Sequence, residues 1–197
     1  MKKWIGLLLA LVIAGAGSWL FLSERGDQGP YPGMGGDFTL QSADGPVSLS
    51  DFRGKVVLIY FGYTSCPDVC PTSLGALSAA LKQLSPREMD RVQPIFISVD
   101  PERDTPGKMV EYVHYFHPKM IGVTGSIEQV RKVADRYGAY FRKAEVKDSS
   151  LGYAVDHSSV IYVVDEKGRL VDMIQHSGSP KTILEHVRRV LGTHSPG

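Results

Sequence analysis

Apolar positions along the chain fall into short continuous runs separated by stretches of helical spacing. Val56–Phe61 is one such run and Val92–Val99 another, each of strand length. Runs without polar alternation belong to strands covered on both faces. Leu74, Leu77, Leu81 and Leu84 recur at the spacing of one helix face. Thr105-Pro106 opens a second helix with proline at its first position, and Ser126 with Gln129 forms a capping box ahead of Val130, Val133, Ala134 and Tyr137. Phe38–Gln41 and Val47–Leu49 flank the turn-forming Ala43-Asp44-Gly45-Pro46, a hairpin signal. Val160–Val164 and Leu170–Ile174 flank Asp165-Glu166-Lys167-Gly168 in the same way, and Ser179-Pro180 caps a last helix running through Leu191. Strands alternating with helices, closed by an antiparallel hairpin, predict an α/β fold with a mixed sheet.

The chain's beginning has a different pattern. Lys2 and Lys3 precede Trp4–Leu22, a run of 19 residues without a charge. As a helix it spans roughly 28 Å, close to the hydrocarbon thickness of a bilayer. A cleaved signal peptide is the competing reading, with Ala14-Gly15-Ala16 as the cleavage site. Trp19-Leu20-Phe21-Leu22 carries the apolar run past it, which favours an uncleaved anchor. The two lysines place the N-terminus in the cytoplasm and the remainder beyond the inner membrane, in the periplasm or an equivalent extracytoplasmic space. The expected organisation is a membrane anchor or uncleaved signal over 1–23, a Gly/Pro-rich flexible linker over 24–36 and one domain over 37–197.

Charge removes one class of partner. The chain has 22 Lys and Arg against 21 Asp and Glu, and no basic run in the domain. Nucleic-acid binding needs a cationic surface to neutralise phosphates, and none is present. The 2 cysteines, Cys66 and Cys70, are too few for a disulfide-dense scaffold or a four-cysteine zinc module.

Those two cysteines stand in Cys66-Pro67-Asp68-Val69-Cys70-Pro71, just after one predicted strand and just before a helix. Pro71 suits the helix's first turn, so Cys70 lies near a positive helix N-terminus, where thiolates are favoured. At i, i+4 on a helical path, two side chains share one face about 5–6 Å apart at Cβ. That suits a disulfide or two thiolates converging on one ion. A plain stabilising disulfide gains little from so short a loop, and strand-to-helix junctions are where α/β folds place chemistry. Two thiolates suit copper(I), and imidazole is the usual further ligand. Among 6 histidines, His114 and His117 read as surface residues, and nothing positions His186 or His194. His176 is a weak candidate. His157, in Asp156-His157-Ser158-Ser159 immediately before the strand Val160–Val164, has a rigid mount.

The segment Tyr60-Phe61-Gly62-Tyr63-Thr64-Ser65-Cys66-Pro67-Asp68-Val69-Cys70-Pro71 resembles the cysteine motif of the SCO/SenC family. Ser98-Val99-Asp100-Pro101-Glu102-Arg103-Asp104-Thr105 is similar to that family's second hallmark, and Asp156-His157-Ser158-Ser159 to its histidine motif. The likeness runs from about Phe38 to the last helix. It implies a thioredoxin-like mixed sheet flanked by helices, with an added N-terminal β-hairpin and an N-terminal transmembrane anchor. It further implies Cys66, Cys70 and His157 as ligands of a copper ion, Cu(I) or Cu(II), and Cys66 and Cys70 as a redox-active disulfide when oxidised. The implied partners are cytochrome c oxidase subunit II, whose copper A site receives copper or is reduced, an upstream copper donor and a thiol reductant. Loading requires reduced thiols, so a disulfide switches binding off. Asp68 and Asp156 are candidates for orienting His157 or tuning the thiolates, or are simply solvated carboxylates.

Two other chemistries compete. A stand-alone extracytoplasmic thiol–disulfide oxidoreductase or peroxidase would use the same fold, but thioredoxin-type enzymes carry C-x-x-C, and here the spacing is C-x-x-x-C. The peroxidatic pattern has Thr or Ser three residues before the cysteine, where this chain has Pro67. A zinc site would have two Cys and one His, with no fourth ligand evident. The Asp100–Thr105 segment reads as a capped turn rather than a docking loop.

Overall fold

The computed structural model describes residues 29–145, 152–176 and 178–193. In chain order these form β1 (Thr39–Ser42), β2 (Gly45–Ser48), β3 (Val56–Gly62), α1 (Val69–Leu81), α2 (Pro86–Asp90), β4 (Val92–Ser98), α3 (Pro106–Phe116), β5 (Ile121–Val123), α4 (Ile127–Tyr137), β6 (Phe141–Glu145), β7 (Tyr153–His157), β8 (Val160–Val164), β9 (Leu170–Gln175) and α5 (Pro180–Thr193). The two apolar runs, β3 and β4, are buried at every residue and lie side by side in parallel. Around them the sheet order is β5-β4-β3-β8-β9, with β5 parallel to β4 and the β8–β9 hairpin antiparallel. This mixed sheet with helices packed on it is the thioredoxin-like arrangement.

Successive residues of β3 point to opposite faces. Tyr60 stacks on Phe96 of β4, which in turn meets Tyr112 of α3, while Phe61 packs on Tyr137 of α4 and Tyr162 of β8. Both faces are therefore covered, which is why β3 reads as an unbroken apolar run. The capping signals hold as well. Thr105 accepts from the Lys108 N–H, and Ser126 with Gln129 closes the capping box of α4, which ends at Gly138 with φ +65°.

Of the two small sheets, one is legible in the pattern. The β1–β2 hairpin is present as expected. The β6–β7 hairpin was not expected, because β6 buries only Phe141 among Arg142, Lys143 and Glu145. His157 thus ends a strand of its own rather than introducing β8. The segment Trp4–Leu22 lies outside the described residues, within which no helix is long and apolar enough to cross a membrane. In the described part of the expected linker, 29–36, the backbone bonds to α4. Gly35 N–H donates to the Arg136 carbonyl, and the Tyr137 hydroxyl donates to the Gly36 carbonyl. Gly33, Gly35 and Gly36 adopt positive φ to make these turns, so their glycines serve geometry rather than flexibility.

The β8–β9 turn carries a buried ion pair. Asp165 accepts from the Lys167 and Arg169 N–H groups through Oδ1 and from the Arg169 guanidinium through Oδ2 at 2.6 Å. Burial alone would raise its pKa, but Arg169 and the turn's N–H groups outweigh it and hold the carboxyl below its ordinary value. The stability this contributes is present above the unfolded value near 3.8 and is lost as pH falls through the lower folded value. Asp165→Asn is therefore expected to cost about 2 kcal/mol in urea unfolding at pH 7, and the difference from wild type should vanish in strong acid.

Candidate metal centre

Three elements converge at one end of β3. The loop after β3 carries Cys66, the first turn of α1 carries Cys70, and the last residue of β7 is His157. Asp68 stands at the N-cap of α1 and Pro71 follows inside its first turn, so the Cys66–Cys70 segment is already winding into the helix. The Cys70 N–H points at Cys66 Sγ at 3.5 Å, as expected of a sulfur at a helix N-terminus. Cys70 Sγ lies 3.2 Å from His157 Nε2, and one ligand atom from each of the three residues lies within 4.8 Å of the others. Both cysteines are free thiols.

The backbone selects the imidazole's useful tautomer. His157 Nδ1 lies 3.1 Å from the Ser158 carbonyl, which can only accept, so Nδ1 carries the proton and Nε2 faces the sulfurs with its lone pair. Edge-to-face contacts with Tyr60 at 6.1 Å and Tyr63 at 5.8 Å hold the ring from two sides. This orienting role falls to Ser158 and the tyrosines, not to Asp156. The Asp156 carboxylate pairs across the hairpin with Arg142 of β6 at 3.4 Å, and Asp68 accepts from the Thr72 hydroxyl at 3.4 Å. Both acids line the hollow beside the thiols without bonding to a ligand side chain.

The two thiols differ in environment. Cys70 is fully buried and Cys66 half-buried at the edge of that hollow. A hydrogen bond from Cys70 lowers the Cys66 pKa against the opposing effect of burial, with the Cys70 and Asp68 backbone helping. The same bond, together with burial, raises that of Cys70. Of the two, the more accessible sulfur is the more readily ionised. Two sulfurs and one imidazole form a soft donor set that suits copper, whereas a structural zinc site would need a fourth protein ligand.

Three further histidines have partners of their own, His114 is exposed, and His194 lies outside the described residues. His176 Nδ1 bonds to Ser73 Oγ at 2.7 Å, one turn along α1 from Cys70, and takes no part in the cluster. His117 corrects its reading as a surface residue. It is 8% exposed at the end of α3, accepts from the Lys119 N–H, and burial lowers its pKa. His186 is positioned after all, paired with Asp172 on β9.

Several residues that shape the site carry no metal-binding chemistry of their own. Gly62 closes β3 directly under Cys70, where a Cβ would fall 2.7 Å from Cys70 Sγ and 3.0 Å from Phe96 and Tyr60. Asp104, wholly buried, accepts from the Thr64 N–H at 2.9 Å, the Thr64 hydroxyl and the Ser98 hydroxyl, and so ties down the loop two residues before Cys66. A glycine ending an apolar run and an acid in the second hallmark were the visible signals; what they touch was not.

Comparison with known proteins gives a consistent result. The family profile described as SCO1/SenC matches residues 27–192. A Bos taurus protein named SCO2 homolog, mitochondrial, is 43% identical over 93% of this chain and 73% of its own length. The structure of Bradyrhizobium japonicum ScoI with copper bound is 40% identical, covering 80% of this chain and 99% of that one, at a TM-score of 0.71. BsSco, described with a disulfide switch and as a member of the Sco family of cytochrome c oxidase assembly proteins, is 26% identical over 85% of this chain and 98% of its own, at a TM-score of 0.65.

Proposed function

The chain belongs to the SCO1/SenC family, and from that membership together with the Cys66–Cys70–His157 geometry we propose that it is a copper-binding assembly factor for cytochrome c oxidase. Cys66, Cys70 and His157 are the copper ligands in this reading, and its cargo goes to the copper A site of oxidase subunit II. The observation that carries the proposal is the convergence of two free thiols and a lone-pair-bearing imidazole nitrogen within 4.8 Å. The copper-bound ScoI structure, at 40% identity, supports the choice of metal.

The asymmetry of the two sulfurs suits transfer. Cys66 borders the open hollow, so an incoming thiolate reaches copper from that side and displaces Cys66 before the buried Cys70. The same pair also serves the reductant reading. Reduction of a disulfide in subunit II would oxidise Cys66 and Cys70 to a disulfide, passing two electrons and two protons to the partner. The disulfide switch described for BsSco favours keeping this second role. Anchored through Trp4–Leu22, the domain would lie on the extracytoplasmic side, supplied there by a copper donor and a thiol reductant.

The test is to mix the copper-loaded full chain with the reduced, copper-free soluble domain of subunit II. Copper leaving the chain with appearance of the copper A absorption supports delivery; copper remaining on the chain overturns it. Oxidised subunit II mixed with the reduced, copper-free chain, followed by thiol counting, reads the reductant role separately. A steric variant probes the site itself. Gly62→Ala would push Cys70 Sγ out of place against rigid ring neighbours, and is expected to lower copper affinity by about 10–100-fold in chelator competition.

A further inference from the structure

The hairpin that carries His157 is hydrogen-bonded into neither the central sheet nor any other strand among the described residues; β6 and β7 pair only with each other. Its hold on the rest of the domain is through side chains. Phe141 and Val155 are buried in the core, and at the hairpin's outer end Tyr153, the first residue of β7, is held to the turn after β4. The Arg103 guanidinium stacks over the Tyr153 ring at 3.8 Å, and its Nη1 donates to the Tyr153 carbonyl at 3.0 Å. The Tyr153 hydroxyl donates to Asp100 at 2.7 Å, and Arg103 Nε is paired with the same buried carboxylate. Lys143 on β6 reaches Glu102 at 2.5 Å. Arg103 also lies 5.6 Å from the ring of Tyr63, which itself packs on the His157 imidazole.

One turn therefore grips both halves of the site. Asp104 fixes Thr64 ahead of Cys66, while Asp100 and Arg103 fix Tyr153 at the far end of the strand that ends in His157. The turn's two buried carboxylates face different ways, one toward each half.

We infer that Asp100 and Arg103 are positioning residues, which set the distance between the His157 imidazole and the cysteine sulfurs by clamping Tyr153 to the turn after β4. The inference rests on His157 being a copper ligand. By this clamp Arg103 acts on copper through His157, while Asp104 acts through the cysteine loop. Arg103 is suited to the task because a planar guanidinium can stack on the ring, donate to the Tyr153 carbonyl and pair with Asp100 at once; a lysine ammonium cannot do all three.

The test is a double-mutant cycle of Arg103→Lys with His157→Ala, with copper affinity read by chelator competition in the full chain. Lysine keeps a charge beside buried Asp100, so the fold is spared. Arg103→Lys should cost at least about tenfold in affinity with His157 present and less than about twofold in the His157→Ala background. Tyr153→Phe, which removes only the hydroxyl bond to Asp100, should show the same pattern more weakly. Amide hydrogen exchange in the copper-free protein supplies a readout independent of metal. Exchange across Phe141–Glu145 and Tyr153–His157 should quicken in Arg103→Lys while β3 and β4 stay protected. Equal losses in both backgrounds, or no loss in either, would overturn the clamp. Absence of specific copper binding by the wild type would overturn the copper reading instead, and unchanged exchange in the hairpin would then overturn the clamp on its own.

Discussion

Cys70→Ser is expected to lose copper to a competing chelator at concentrations where the wild type keeps it. Cys70 is fully buried and its sulfur lies 3.2 Å from His157 Nε2, so it holds the inner corner of the proposed site. A serine hydroxyl in its place remains protonated and is a hard donor, where copper(I) takes soft thiolate. The same change should leave the protein folded. The shapes nearly match, and the cost of burying a hydroxyl is about 1–3 kcal/mol. Thermal unfolding alongside the copper titration separates the two effects. Cys66→Ser should lose copper as well, at a smaller cost in stability because that side chain is half-exposed. Oxidation of the pair should mimic both variants, since a disulfide offers no thiolate. A Cys70→Ser protein that retains copper as tightly as the wild type would remove this residue from the site.

The second large effect is expected at a residue with no ligand role. Asp104→Ala deletes the acceptor for the Thr64 N–H, the Thr64 hydroxyl and the Ser98 hydroxyl, and removes a wholly buried side chain. Leaving these donors without their acceptor should destabilise the domain by about 3 kcal/mol in chemical denaturation. It should also free the loop that aims Cys66, so copper affinity falls together with stability. Asp104→Asn retains one acceptor oxygen and should be intermediate in both. Because this residue acts through the cysteines, its effect on affinity should persist when His157 is replaced by alanine, opposite to the behaviour expected of Arg103.

How much of this was readable in the chain follows from what each element buries. β3 and β4 were legible because every side chain in them is enclosed, and α4 because Ser126, Gln129 and Gly138 mark its two ends. The β6–β7 hairpin was not, since it buries only Phe141 and Val155 and is otherwise held by Arg103, Lys143 and Tyr153, residues that read as surface. The same cause hid His117, whose burial comes from the packing of α3's end rather than from its neighbours in sequence. At the site, the i, i+4 cysteines and the helix start were visible locally. That His157 would meet them required a strand whose pattern is too short to register, and its partner choice rested on family resemblance. The carboxylates Asp68 and Asp156 stand close to the proposed ligands in sequence, yet strand and helix geometry turn them elsewhere, and the contacts to the His157 ring come from Ser158, Tyr60 and Tyr63.

The most direct test of the three-ligand site is X-ray absorption at the copper edge, on the full chain loaded with copper(I) under anaerobic reducing conditions, compared with His157→Ala. The proposed site predicts two sulfur scatterers and one imidazole nitrogen in the wild type, with the imidazole signature gone from the variant and both sulfurs kept. An imidazole signature that survives His157→Ala, or a first shell without two sulfurs, would contradict it.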